Sequence, residues 1–196
     1  MPRRWRRFGV WMLAVLAAAA TVSASARDSD GLFAVKGVGA LNCAAYTRAA
    51  EAGNQELAQY SGYLAGYVSA YNEHQPETFD LLPWQSMETL MLIMLRRCRQ
   101  VPDGSFGVAV TEMARYFDGH KLEKLAERIR LSGAEGTIEL FEPVVADVRA
   151  ALEQRGYPTE DLYASLQQFR RDQHLPPATD NIQTALLSLL YTTAER

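Results

Sequence analysis

Cys43 and Cys98 are the only thiols in the chain, and the N-terminus decides what they can do. Arg3, Arg4, Arg6 and Arg7 form a basic start, Phe8 to Ala20 an apolar run, and Ala24-Ser25-Ala26 a small-residue processing site followed by Arg27-Asp28. That order of parts is a secretory signal, with cleavage expected after Ala26. The alternative is an uncleaved anchor, but the apolar run is shorter than the ~20 residues a spanning helix needs, and no later stretch is apolar enough to cross a bilayer. Export carries the two cysteines into an oxidising compartment, where they read as one disulfide with no competing partner. Two buried free thiols are the other reading. A cross-link over so long a loop removes about 4 kcal/mol of unfolded-state freedom.

Between the cysteines runs Gln55 to Asn72, QELAQYSGYLAGYVSAYN, with Leu57, Tyr60, Ser61, Leu64, Ala65, Val68 and Tyr71 at helical spacing. Gly62 and Gly66 form a GxxxG step, expected to let a neighbouring helix approach closely, with self-association as the alternative. Asn42 suits an N-cap for a short helix from Cys43, and Gly53-Asn54 its stop. Pro83 fits the first turn of a further helix, in which Met87, Leu90, Met91, Met94, Leu95 and Cys98 share a face and Val101-Pro102 ends the run. Its methionines read as adaptable core filling rather than a surface for clients. The bond then ties two helices around the tyrosine-rich one.

Ser105 is a cap for a fourth helix, and His120 to Leu131, with Leu122, Leu125 and Ile129, reads as a fifth. Ser132 to Gly136 reads as a boundary. Beyond it, helices are expected from Pro143, from a cap at Thr159, and from Thr179 or Asp180. The expected class is all-α: a disulfide-tied helical bundle in residues 27–132, after a signal at 1–26, and a small three-helix unit in 137–196. About 50 residues is small for independent stability, so the last unit should lean on its neighbour.

From Cys43 through Gly62-Tyr63-Leu64-Ala65-Gly66 and Asn72 to Cys98-Arg99-Gln100-Val101-Pro102, the chain resembles small exported bacterial proteins related to the acid-stress chaperone HdeA and the Rap/Tai immunity proteins. The resemblance implies an all-helical, disulfide-tied domain with helper roles, from holding unfolded envelope clients to blocking a cell-wall amidase. Val148-Arg149-Ala150-Ala151-Leu152, Gly156-Tyr157 and Leu166 to Pro176, with Asp180 and Thr184, resemble the three-helix peptidoglycan-binding domain found beside cell-wall hydrolases. The family usually has a glycine-rich Gly-x-x-Thr segment between its first two helices; here only Pro158-Thr159-Glu160-Asp161 stands there.

Composition restricts the partners further. Four of the 20 basic residues and none of the 23 acidic ones fall in the signal, leaving 16 against 23, a formal balance of −7. Such a surface does not suit nucleic acid. Apolar residues at 48% and charged ones at 22% are ordinary for a folded domain. Neither a nucleophile motif nor a phosphate-cradling loop is present, and His74, His120 and His174 are scattered without ligand spacing. Glu139 and Glu142 read as solvated or dipole-compensating acids rather than a glycan-cleaving pair. The expectation is a non-catalytic periplasmic or envelope protein without metal or cofactor. Its C-terminal unit associates with peptidoglycan and holds the HdeA-like part near the wall. The alternatives are an acid-stress chaperone and an inhibitor of a cell-wall hydrolase. Candidate binding residues are Tyr157, Gln168, Arg170 and Arg171 in the tail, whose aromatic and guanidinium groups suit sugars and peptide carboxylates. In the first domain they are Tyr63 and Tyr67.

Overall fold

Asn42 and Gly53 delimit the first helix through local chemistry. The Asn42 Oδ1 accepts from the Ala45 N–H at 3.0 Å, opening α1 (Cys43–Ala52), and Gly53 closes it in the left-handed region at φ 58°. The computed structural model describes residues 28, 30, 32–175 and 181–191. The signal at 1–26 and the Thr179 or Asp180 cap lie outside these residues. At the start of the described chain, Asp28 accepts from the N–H groups of Asp30 and Leu32 in a small turn.

From residue 35 onward the described chain holds a 3-10 turn (Gly37–Ala40), α1, α2 (Glu56–His74), α3 (Met87–Gln100), α4 (Phe106–Phe117), strands β1 (Arg128–Gly133) and β2 (Gly136–Phe141), then α5 (Glu142–Glu153), α6 (Leu162–Asp172) and α7 (Asn181–Tyr191). No helix among the described residues is long and apolar enough to cross a membrane. The fold is mostly helical but not all-α. In place of a fifth helix at 120–131, Arg128 to Gly133 pairs antiparallel with Gly136 to Phe141. The expected boundary at Ser132–Gly136 is that hairpin's turn. Leu125, assigned to the inner face of a helix, is 71% exposed. The strands alternate instead: Ile129, Leu131 and Ile138 turn toward apolar neighbours, while Arg130 and Glu139 face each other across the ladder and pair at 2.6 Å.

Two further starts differ from the sequence reading. α3 begins at Met87 because the Ser86 hydroxyl accepts from the Thr89 N–H, which leaves Pro83 in the preceding loop. α6 is capped by the Asp161 carboxylate on the Ala164 N–H at 3.0 Å, not by Thr159. In both cases a better-placed acceptor stands two or three residues further on.

The first core gathers α1 to α4. Cys43 and Cys98 are fully buried and joined, their Cα atoms 4.7 Å apart. Beside them Tyr46, Tyr60 and Phe106 form a triangle of rings with centroids 4.8 to 5.1 Å apart, each contact contributing about 0.5–1.5 kcal/mol beyond burial. The Tyr46 hydroxyl donates to the Met91 carbonyl at 2.6 Å, so this buried phenol is satisfied, and burial pushes its pKa well above the ordinary tyrosine value. The loop that ends α3 also serves the start of α1: the Pro102 and Gly104 carbonyls accept from the Ala44 and Cys43 N–H groups at 2.8 and 2.7 Å.

A second core holds Leu140, Val148, Leu152, Leu166, Leu186 and Leu189 from β2 and α5 to α7, joined by Trp84 and Leu122 from earlier in the chain. α7 ties the two cores together. Gln183, 7% exposed, accepts from the Ser86 N–H and the Thr89 hydroxyl and donates to the Trp84 carbonyl. Tyr191 packs on both cores, stacked on Trp84 at 5.8 Å and edge-on to Phe117 at 4.9 Å.

Candidate functional site

The tail candidates divide along α6. Tyr157 stands edge-on to the buried Phe169, and its hydroxyl donates to the Asp172 carboxylate at 3.0 Å; burial first, and then this bond, raise its pKa. Gln168 is exposed one turn before Asp172, so helical spacing puts Gln168, Arg171 and Asp172 on one outward face. Arg170 does not join them. Its side chain is 12% exposed, held by the Gln167 Oε1 at 2.9 Å and by Glu135 at the hairpin turn at 3.4 Å. It braces the hairpin against α6 and is not the outward group expected of it. Arg171 reaches the same Glu135 at 3.7 Å but is 57% exposed, a long single contact worth little in water. Its guanidinium can leave Glu135 for another carboxylate.

Tyr63 and Tyr67 belong to a different place and a different task. α2 turns Tyr63, Tyr67 and Tyr71 along α4 and the turn after it. The tip of Tyr63 fills a notch between Gly39 and Gly107, where a Cβ on either glycine would collide with it. Tyr67 donates to the Thr111 hydroxyl at 3.3 Å, and Tyr71 to the Asp118 carboxylate at 2.8 Å. This ladder is a packing seam against α4. The close approaches expected at Gly62 and Gly66 are absent: both are exposed and a Cβ on either would meet nothing within 4 Å. The glycines that do admit a neighbour are Gly39 and Gly107 beside Tyr63, and Gly133 beneath the ring of Tyr163.

Asp118 accepts from Tyr71 and, at 3.0 Å, from Lys121. These two bonds hold its carboxyl below the usual carboxylate range, while burial and then the bond to Asp118 push Tyr71 up to about 12. Glu139 and Glu142 each have a local role that the fold displays. Glu139 is held low by Arg130, and Glu142 occupies the first turn of α5, where it offsets the helix dipole. Among the described residues, no three His, Cys, Asp or Glu side chains gather where they could hold a metal ion.

A concave feature lies where the sequence reading placed nothing. A groove of about 710 Å³ opens between α3, α4 and α7. Each helix gives it one stripe: Ile93, Arg96, Arg97 and Gln100 from α3; Met113, Tyr116 and Phe117 from α4; Thr184, Leu187 and Tyr191 from α7. The spacings are those of a single helix face. Leu175 adds to the wall, and the Arg97 guanidinium bridges α3 to Glu112 of α4 at 2.8 Å. Sequence periodicity reveals each stripe separately but cannot show that three distant stripes converge.

Compared with known proteins, the chain matches no family model, and neither a curated protein nor a solved structure matches it.

Proposed function

We propose that this is an exported, non-catalytic protein of the bacterial cell envelope whose C-terminal helices α5–α7 associate with peptidoglycan and hold the disulfide-tied α1–α4 part near the wall. The observation that carries the reading is the outward face of α6, where Gln168 and Arg171 stand exposed beside Asp172, which takes the Tyr157 hydroxyl. Peptidoglycan offers sugar rings with polar edges and peptide stems ending in carboxylates. An aromatic ring face packs on the C–H face of a sugar, an amide bonds its hydroxyls, and a guanidinium pairs with a carboxylate.

The shortened link between α5 and α6 is consistent with a shallow site formed by α6 itself rather than by a loop. The Ser165 hydroxyl donates to the Pro158 carbonyl at 2.7 Å, and Arg149 donates to the Thr159 carbonyl at 2.7 Å, so the link is fastened to both helices. Co-sedimentation of the purified chain with insoluble peptidoglycan tests the proposal. The protein should pellet with the wall material and stay in solution without it; equal recovery in both supernatants counts against it.

A further inference from the structure

We infer that the groove between α3, α4 and α7 is a binding site for a single-chain amphiphile with a carboxylate head, the alkyl chain lying on Met113, Phe117 and Leu187 and the head meeting Arg96. Its size, about 710 Å³, lies inside the ~300–1,000 Å³ of sites that enclose one small ligand.

Charge selects the head. Arg97 is neutralised by Glu112 across the groove at 2.8 Å. Arg96, one residue earlier, lines the same groove and is exposed, and among the described residues no carboxylate comes within ion-pairing distance of it. An apolar trough with a guanidinium at its edge that no described carboxylate balances is complementary to an apolar body bearing one negative charge. A cationic head would meet Arg96 in repulsion, and a neutral one would leave it unpaired. Tyr116, 51% exposed on the α4 wall, offers an amphipathic ring between chain and solvent.

The groove shares α7 with the part assigned to peptidoglycan but uses none of the outward face of α6 on which that reading rests. The groove's walls come from both cores, so a ligand seated in it should bind the folded chain and raise its unfolding temperature.

Titration calorimetry on protein expressed from the full-length sequence and purified as the host processes it tests the inference, with octanoate, decanoate and dodecanoate below their micelle thresholds. Affinity should rise about tenfold for each two methylenes added. Dodecanoate should bind at least about tenfold more tightly than dodecanol or dodecyltrimethylammonium. Arg96→Glu should abolish that preference while far-UV circular dichroism stays unchanged, and Thr184→Trp, which fills the trough from α7, should weaken every chain alike. The inference is overturned if no carboxylate binds, if the three head groups bind equally, or if Arg96→Glu leaves the preference intact. It is also overturned if the protein binds only vesicles of anionic phospholipid and not the monomeric carboxylates, since the occupant would then be a membrane surface.

Discussion

Gln183 donates its side-chain amide to the backbone carbonyl of Trp84 across 2.6 Å, although 99 residues separate them. Its Oε1 takes the Ser86 N–H and the Thr89 hydroxyl from the same loop. A single buried amide thus serves the start of α3 and fastens α7 to it. Replacing it by leucine keeps the volume and strands the Ser86 N–H and the Trp84 carbonyl, while the Thr89 hydroxyl keeps the Ser86 hydroxyl as a partner. Gln183→Leu should cost about 2–4 kcal/mol, read from denaturant unfolding. A loss under about 0.5 kcal/mol would mean that the junction is solvated and not structural.

The three tested glycines should divide by sign. Gly133→Ala drives a methyl into the ring of Tyr163, already 4% exposed, and should destabilise by about 1–3 kcal/mol. Gly62→Ala and Gly66→Ala put methyls into open space on an α-helix, and each should stabilise by about 0.5–1 kcal/mol. Thermal unfolding of the three variants checks both. Destabilisation by the α2 substitutions would restore a close-packing role for the GxxxG step.

Reduction of Cys43–Cys98 should lower stability by about 4 kcal/mol through the loop it closes. The Cys43→Ala/Cys98→Ala double variant should reproduce the reduced protein's denaturant midpoint. An unchanged midpoint on reduction would show that the aromatic triangle of Tyr46, Tyr60 and Phe106 suffices to hold α1 in place.

Acid and alkali should act on the same contact from opposite sides. The Asp118 carboxyl is held below its ordinary value of 3.8 by Tyr71 and Lys121. Its contribution is therefore complete above that value and lost as pH falls through the lowered one. Tyr71 is raised from 10.0 to about 12, so its contribution is complete below 10 and lost as pH rises toward 12. The stability difference between the native chain and Asp118→Asn should be flat in the neutral range and shrink at both extremes. A difference that grows on acidification contradicts this pairing.

How much of this was legible in the sequence follows the range of the interactions. The Asn42 cap, the Gly53 stop and the stripe through Leu90, Met94 and Cys98 are settled within a few residues, and periodicity reads them. The hairpin was hidden because Leu122, Leu125 and Ile129 fit a helical period while Arg128 to Leu131 also alternates. Only pairing with Thr137 to Phe141 resolves such a short segment. Tyr63 looked available because its partners, Gly39 and Gly107, are glycines that announce no contact. Arg170 reads as an outward group in the sequence because its partner Glu135 belongs to a glycine-flanked turn 35 residues away. At the tail, Gln168 and Arg171 are outward by helical spacing alone, and that much the sequence showed.

The peptidoglycan reading is tested most directly by comparing the native chain with Gln168→Ala/Arg171→Glu in quantitative co-sedimentation with insoluble peptidoglycan. Both positions are exposed, so the fold should survive and far-UV circular dichroism should be unchanged. The account predicts saturable pelleting of the native protein and an affinity at least about tenfold lower for the variant. Equal pelleting of the two, or none by either, would contradict it.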